Sequence, residues 1–164
     1  MDQKDPEFIN FTEVDSDLQM ETLTWRNSPQ VTPFFQLQNI SADTHKRWLA
    51  SLQQQDPSNI AFLIRYDSAN VGVTYFTKVD RSAKVCDWGI YLHRTEFRGL
   101  GLAQKSLAFC IDFASKQLGM TAMKLEVLKS NATAMHVYEK LGFVAEQEQQ
   151  RDTEIIVSMK RSLV

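Results

Sequence analysis

Ile60–Tyr66 reads Ile-Ala-Phe-Leu-Ile-Arg-Tyr, an almost unbroken apolar run, and Val71–Val79 and Val85–Leu92 follow it at short polar intervals. Runs of this length, rich in β-branched and aromatic residues, predict strands. The polar turns Asp67–Asn70 and Asp80–Ala83 between them predict an antiparallel meander. The period then changes. Ala103, Leu107, Cys110, Ile111, Ala114 and Leu118 recur at helical spacing, which predicts a helix over Gln104–Leu118 ended by Gly119. Met123–Leu128 predicts a further strand. A short helix follows from Asn131 through Val137, Tyr138 and Leu141 to Gly142, and Phe143–Glu148 and Glu154–Lys160 predict two closing strands.

Upstream of the meander the signals are local. Phe8–Glu13 alternates and predicts a first strand. Asp15, Ser16 or Asp17 can cap a helix running to about Arg26, with Leu18, Thr22 and Trp25 on one face, closed ahead of Pro29. Val31–Asn39 contains Pro33 and predicts a loop carrying Phe34 and Phe35. Ser41 caps a helix over Ala42–Gln54 in which Trp48, Leu49 and Leu52 face inward and His45 and Arg47 flank them. The order β-α-α-β-β-β-α-β-α-β-β predicts an α/β protein, a three-layer sandwich in one domain over residues 1–164.

Composition narrows the function classes. The chain has 164 residues, 43% hydrophobic and 23% charged, with a formal net charge of −2. Those values are ordinary for a globular protein and give no reason to expect nucleic acid or an anionic membrane as partner. No apolar run approaches about 18 residues, so no membrane span is expected. The polar, acidic start Met1-Asp-Gln-Lys-Asp-Pro-Glu does not resemble a signal peptide, and a cytoplasmic location is expected. Cys86 and Cys110 fit no metal spacing and are expected to be reduced, small core residues. No His/Asp/Glu cluster has metal-ligand spacing, so no metal is expected.

The chemistry concentrates at Arg98-Gly-Leu-Gly-Leu-Ala103, between a predicted strand and a predicted helix. A helix start presents backbone N–H groups without intrahelical acceptors, together with the positive end of the helix dipole. Gly99 and Gly101 let a phosphate approach the backbone, and Arg98 adds a charge at the mouth, so a pyrophosphate ligand is expected. An ordinary loop and helix cap would use the same residue types. The dinucleotide fingerprint is absent for want of a third glycine, and no Gly-Lys-Ser/Thr follows to make a P-loop.

Arg-x-x-Gly-x-Ala in this setting resembles the acetyl-coenzyme A signature of the GNAT N-acetyltransferases. A second motif, Asn131-Ala-Thr-Ala-Met-His-Val-Tyr-Glu-Lys-Leu-Gly-Phe143, resembles that family's Asn, Ala, Tyr-Glu-Lys-Leu-Gly-Phe pattern at the expected distance. The resemblance covers the whole chain. It implies a mixed, mostly antiparallel sheet splayed where acetyl-coenzyme A binds. Ile90, Leu92, Arg98, Gly99, Leu100, Gly101, Leu102, Ala103 and Asn131 are then the cofactor-binding candidates, with the pantetheine arm lying between Val85–Leu92 and Met123–Leu128.

Tyr138 is the candidate general acid, because a phenol with a pKa near 10 can protonate a departing thiolate. The alternative is an amphipathic core tyrosine. Glu126 is the candidate base, flanked on its strand by residues pointing the other way. A solvated strand glutamate is the alternative, and water could accept the proton from a weakly basic amine. Trp25-Arg26-Asn27-Ser28-Pro29, Ser41 to His45, Thr77-Lys78 and Gly89-Ile90-Tyr91 resemble, within the family, the sugar-nucleotide N-acetyltransferases of pseudaminic acid biosynthesis. That implies a UDP-linked 4-amino-4,6-dideoxy sugar as acceptor, with Arg26, His45, Thr77, Lys78 and Tyr91 as substrate-binding candidates. His45 could instead be a helix-surface histidine, and Arg26 a helix C-terminal charge. An acceptor that is a protein amino terminus or another small amine remains open, as does a non-catalytic coenzyme A-binding module. Either a monomer or a homodimer is compatible with the resemblance. A cationic acceptor calls for an acidic groove, and a diphosphate calls for basic residues.

Overall fold

The computed structural model describes residues 4–35 and 39–164. Its elements are β1 (Glu7–Asn10), α1 (Ser16–Arg26), α2 (Ala42–Ser51), β2 (Ile60–Tyr66), β3 (Ala69–Asp80), β4 (Val85–Leu92), α3 (Leu102–Lys116), β5 (Ala122–Leu128), α4 (Ala132–Lys140), β6 (Val144–Arg151) and β7 (Glu154–Ser162). This is the order expected from the sequence. The strands form a mixed seven-stranded sheet ordered β1-β2-β3-β4-β5-β7-β6. Single 3-10 turns occur at Phe11–Glu13, Thr32–Phe34 and Thr95–Phe97. Residues 36–38, in the loop expected over Val31–Asn39, lie outside the described residues. No helix among the described residues is long and apolar enough to cross a membrane.

Several boundaries differ from expectation by a few residues, and three of them have a clear local reason. The first strand stops at Asn10, whose side chain accepts from Thr12 N at 3.0 Å. The chain therefore enters a 3-10 turn that buries Phe11 completely. Helix α2 stops at Ser51, three residues short of Gln54; Ser51 Oγ donates back to Trp48 O and Leu52 turns inward, 4% exposed. Helix α3 starts at Leu102, where a 2% exposed leucine anchors the first turn. Of the three candidate caps for α1, Asp15 is used, accepting from Leu18 N at 2.9 Å.

The chain divides into two compact units, Met1–Phe76 with Ile90–Leu102, and Thr77–Gly89 with Ala103–Val164, and β3 and β4 run through both. In the first unit, β2 is apolar without alternation because both its faces are covered. Leu63, Ala61, Val73 and Phe11 pack with Trp25, Leu52, Leu18, Trp48 and Leu49 from the α1–α2 side. Ile64 and Val71 pack the other way, with Leu102, Leu92, Ile90 and Phe8. Val71 faces opposite to Val73 because the β2–β3 register shifts there, from Ile64↔Gly72 to Arg65↔Asn70. The extra residue is a β-bulge, and Val71 O accepts from His93 N at 3.1 Å.

In the second unit, β5 pairs with β7 from Ala122↔Ser162 to Leu128↔Ile156, and β7 pairs with β6. Met123, Leu125 and Val127 are buried while Lys124 and Glu126 are exposed, the alternation of a sheet with one covered face. On α3, Leu107, Cys110 and Ala114 are fully buried at the predicted helical spacing. Strand β6, at the sheet edge, carries Glu146, Gln147, Glu148, Gln149 and Gln150, all exposed, a polar edge that discourages pairing with other chains. The β4–β5 ladder is parallel, with register Val85↔Ala122, Cys86↔Met123 and Asp87↔Lys124.

Gly72 tests the packing of β3 on β4 in the first unit. A Cβ built there overlaps the Tyr91 carbonyl oxygen and meets Leu92 Cδ2 at 2.9 Å. Overpacking against backbone costs about 1–3 kcal/mol, so Gly72→Ala is expected to lower the melting temperature by roughly 3–10 °C, measured by differential scanning calorimetry.

Candidate active site

In the first unit, a cavity of about 220 Å³ is lined by Arg26, Phe35, Ile40, Thr44, His45, Trp48, Tyr75 and Tyr91. The motif Trp25-Arg26-Asn27-Ser28 at the end of α1 builds one wall, and each residue has a distinct task. Trp25 stacks on His93, with ring centroids 4.0 Å apart and planes 7° from parallel. The Arg26 guanidinium lies over the Phe35 ring, 3.7 Å from its centroid. Asn27 binds the backbone of Ile40 twice, through Nδ2 to Ile40 O at 2.9 Å and Oδ1 from Ile40 N at 2.8 Å. Ser28 Oγ closes the helix end on Trp25 O at 2.6 Å. Burial lowers the Arg26 pKa, but a guanidinium remains charged at any neutral pH. It is the one permanent charge among the described lining residues.

His45 is 5% exposed rather than on the helix surface. Its Nε2 lies 3.0 Å from Gln19 O and 3.1 Å from Thr22 Oγ1. A carbonyl only accepts, so Nε2 carries the proton. Burial lowers the His45 pKa, and the ring is neutral. It therefore offers the cavity an apolar edge while its Nε2–H is spent inside the protein. Tyr91 sits edge-on to Phe35, centroids 6.1 Å apart, and its hydroxyl reaches Thr22 O at 3.4 Å. Burial also raises the Tyr91 phenol.

Three of the five expected substrate residues, Arg26, His45 and Tyr91, thus line one cavity. Thr77 and Lys78 are not among its lining residues and lie further along β3, in the second unit. The sequence reading did not name Phe35, Ile40, Thr44, Trp48 or Tyr75 as lining residues. Thr44 and Trp48 could have been paired with each other, since residues four apart share a helix face.

At the glycine loop, Gly99 and Gly101 adopt φ of 80° and 75°, left-handed values that side chains resist. No atom lies within 4 Å of a Cβ built on either one. Their use is therefore conformational: they turn the chain into α3, whose first turn holds no acidic residue. Arg98 is engaged locally. Its Nη2 donates to Gln30 O and Leu92 O, both at 2.9 Å, and its guanidinium stands 5.8 Å from the Phe34 ring centroid. Gln30 in turn donates from Nε2 to His93 O at 2.9 Å. Arg98 thus ties the loop after α1 to the end of β4, a task the sequence did not show. Ile90 and Leu92 pack against the Ile64–Val71–Leu102 cluster. Leu100 is exposed.

In the second unit, Tyr138 is 8% exposed and meets Trp88 edge-on, with centroids 5.8 Å apart and an interplanar angle of 85°. Phe143 lies on its other side at 6.4 Å. With aromatic neighbours and no charge beside it, burial alone pushes the Tyr138 phenol up to about 12. It is fully protonated at neutral pH, as a proton donor must be. Asn131 caps α4, Oδ1 accepting from Ala134 N at 3.2 Å. Glu126 is exposed, and its Oε2 lies 3.4 Å from Arg151 Nη1. Asp87 is half-buried, with Lys78 Nζ 3.8 Å from its Oδ2.

An acetyl-coenzyme A ligand can be tested against these residues. The indole Nε1–H of Trp88 is buried without an acceptor among the described residues, on a strand that has just left its parallel ladder. Strand β5 continues four residues beyond the last β4 pair, to Leu128. Unpaired strand edges seek amide partners, which a pantetheine arm contains. The residues present fit the group. Among the described residues, no group of three or more His, Cys, Asp or Glu could hold a metal ion.

A family model described as an acetyltransferase (GNAT) domain matches residues 9–144. The chain is 30% identical over 139 residues to the acetyltransferase PseH of Campylobacter jejuni, covering 85% of each protein. The crystal structure of C. jejuni PseH in complex with acetyl coenzyme A is similar with a TM-score of 0.68 at 25% identity, covering 96% of this chain and 98% of that one. A spermidine N-acetyltransferase from Vibrio cholerae, in complex with CoA and spermine, is similar with a TM-score of 0.83 at 16% identity, covering 96% and 95%. At that identity the likeness concerns the fold alone.

Two measurements follow from this geometry. Burial, the largest cause, and then Arg94 hold His93 down to about 4, below its ordinary value of 6.5. The unfolded chain therefore binds a proton that the native one refuses as pH falls from about 6.5 towards 4, and stability declines through that window. The melting temperature is expected to fall between about pH 6.5 and 5, above the range of most carboxylates, and to fall less in His93→Phe, which keeps the stack on Trp25. For Arg98→Met, loss of the two carbonyl bonds is expected to lower the melting temperature while weakening acetyl-coenzyme A, by calorimetry, less than about 10-fold. A loss near 100-fold at unchanged melting temperature would instead assign the guanidinium to phosphate.

Proposed function

The chain belongs to the GNAT acetyltransferase family and is an acetyl-coenzyme A-dependent N-acetyltransferase, and from that premise we propose that its acceptor is the 4-amino group of a UDP-linked 4-amino-4,6-dideoxy sugar of pseudaminic acid biosynthesis. The charge of the 220 Å³ cavity carries this reading. Its described lining combines aromatic and aliphatic faces with one cation, Arg26, and no carboxylate. A guanidinium forks onto phosphate oxygens, and flat aromatic walls suit a base or a sugar ring. The 30% identity to C. jejuni PseH over 85% of both proteins supports a place in the pseudaminic acid pathway.

The second reading is a polyamine acceptor, favoured by 28% identity over 93 residues, 57% of this chain, to a spermidine N(1)-acetyltransferase of Escherichia coli. A polycation in this cavity would face the Arg26 charge, and the described lining holds no carboxylate to bind it, which is electrostatically unfavourable. A protein amino terminus has the same difficulty to a smaller degree.

In the reaction, the thioester supplies an activated acyl carbon. Backbone N–H groups of the Gly99–Ala103 turn and the start of α3 hold the pyrophosphate. Arg98 acts by positioning that turn on Leu92 and Gln30. Ile90 and Leu92 offer the β4 edge to the pantetheine arm. Asn131 donates from Nδ2 to the same arm, since Oδ1 is occupied by its own helix cap. Tyr138 gives its proton to the departing thiolate. Arg26 binds the acceptor diphosphate, and His45 and Tyr91 shape the cavity around the rest of that ligand.

Free thiol release from acetyl-coenzyme A is the direct assay. The panel holds UDP-4-amino-4,6-dideoxy sugars in altro and gluco configuration, a ribosomal-type peptide amino terminus and spermidine. Turnover of the altro sugar nucleotide is expected, and turnover of spermidine alone overturns the acceptor assignment. Arg26→Met is expected to raise the acceptor KM by about 10- to 100-fold, the worth of one or two charge-assisted hydrogen bonds. Tyr138→Phe is expected to lower kcat by about 100-fold or more, with acetyl-coenzyme A affinity retained. Equal loss of both sinks the proton-donor role.

A further inference from the structure

A nucleoside diphosphate carries a negative charge on each phosphate, and the described lining of the 220 Å³ cavity answers with one cation, Arg26. Helix α2 builds part of the wall through Thr44, His45 and Trp48. Successive residues of a helix are turned by about 100°, so these three side chains span one arc of α2. Arg47 stands at the edge of that arc beside Thr44, and Lys46 stands on the far side of the helix.

A chain of hydrogen bonds leads from the helix cap to that arginine. Ser41 Oγ accepts from Thr44 N at 3.1 Å and donates to Thr44 Oγ1 at 3.0 Å. Arg47 Nη2 donates to the same Thr44 Oγ1 at 3.3 Å. A hydroxyl has one proton and two lone pairs. With two donors directed at it, Thr44 Oγ1 has both lone pairs engaged and only its own proton left to give. No group among the described residues accepts that proton, and Thr44 is a partly buried residue of the cavity wall. The cavity thus offers a donor to the oxygen of a ligand. A hydroxyl that accepts from a cation is a stronger donor in turn.

Arg47 has charge to spare. It is exposed, and although Asp43 lies four residues before it on α2, Arg47 makes no ion pair among the described residues. Its bond to Thr44 uses one edge of the guanidinium and leaves other N–H groups to bind an anion. We propose that Thr44 and Arg47 form a second phosphate contact of the acceptor cavity, complementary to Arg26. The Thr44 hydroxyl donates to a phosphate oxygen, and the Arg47 guanidinium, held on Thr44 at the exposed edge of the wall, neutralises the charge that Arg26 does not. The proposal rests on the reading that the acceptor is a nucleoside diphosphate sugar. Like charges repel, so the same arginine works against a polycationic acceptor.

The test measures acceptor KM and kcat by thiol release in Arg47→Met, Thr44→Val and Lys46→Met, with Arg47→Lys and Thr44→Ser beside them. UDP and uridine serve as inhibitors competing with the acceptor. Melting temperatures and acetyl-coenzyme A affinities are taken on every variant, so that misfolding and cofactor loss are seen directly. Arg47→Met and Thr44→Val are each expected to raise the sugar-nucleotide KM by about 10-fold, with kcat within about 3-fold of wild type. UDP inhibition weakens by the same factor, and uridine inhibition by less than about 2-fold, because uridine has no phosphate. Arg47→Lys keeps the charge and Thr44→Ser keeps the hydroxyl, so each recovers most of the loss. Lys46→Met removes a charge from the far side of α2 and is expected to change KM by less than about 2-fold.

A KM that stays at the wild-type value in Arg47→Met overturns the proposal. An equal rise in Lys46→Met overturns it too, since a general field and not a contact is then at work. So does uridine inhibition that weakens as much as that of UDP. The wild type separates this proposal from the reading beneath it. Turnover of spermidine alone, without inhibition by UDP, brings down the acceptor assignment and the phosphate contact with it. Turnover of the sugar nucleotide with KM unchanged in Arg47→Met and Thr44→Val brings down the phosphate contact alone.

Discussion

Parallel strands hold together through slanted hydrogen bonds that every residue of the ladder must supply, and the β4–β5 ladder stops supplying them after Asp87↔Lys124. Strand β5 stays anchored because its other edge remains paired with β7 through to Leu128↔Ile156. Its edge towards β4 therefore keeps a fixed geometry although no β4 register pair follows Asp87↔Lys124 among the described residues, and unpaired backbone groups are costly to leave unmet. Trp88, the first β4 residue past the ladder, buries an indole N–H without an acceptor among the described residues and supports the Tyr138 ring. Asp87, the last residue within it, faces the other way.

The first unit meets a different constraint, that of holding one cation in an aromatic cavity. Arg26 is kept extended by its contact with Phe35, and the chain beyond that loop is fixed by the two Asn27 bonds to Ile40. The described lining of the cavity holds no carboxylate, so the guanidinium gives it a positive character that suits an anionic ligand. Neutral groups surround it: His45 with its Nε2 proton committed to Gln19 O, and Tyr91 with its phenol raised by burial. The fold by itself does not decide the acceptor, because one scaffold hosts many activities.

Much of this was legible in the chain itself. The element order, the exact span of β4, the cap role of Asn131 and the buried face of α3 all follow from periodicity and local hydrogen bonding, which depend on neighbours in sequence. The glycine loop and the Tyr138 motif were likewise legible, as residue types at fixed spacing. The structure alone decided what depends on residues distant in sequence. The cavity draws Arg26, Phe35, Ile40, Thr44, Tyr75 and Tyr91 from α1, the loop behind it, α2, β3 and β4. His45 is neutral because the fold buries it, and its Nε2 carries the proton because Gln19 O, on another helix, lies 3.0 Å away. Arg98 is a backbone tie because Gln30 O and Leu92 O converge on it. Periodicity fixes which face a side chain takes, whereas burial, protonation and partnership are set by whatever the fold brings to that face.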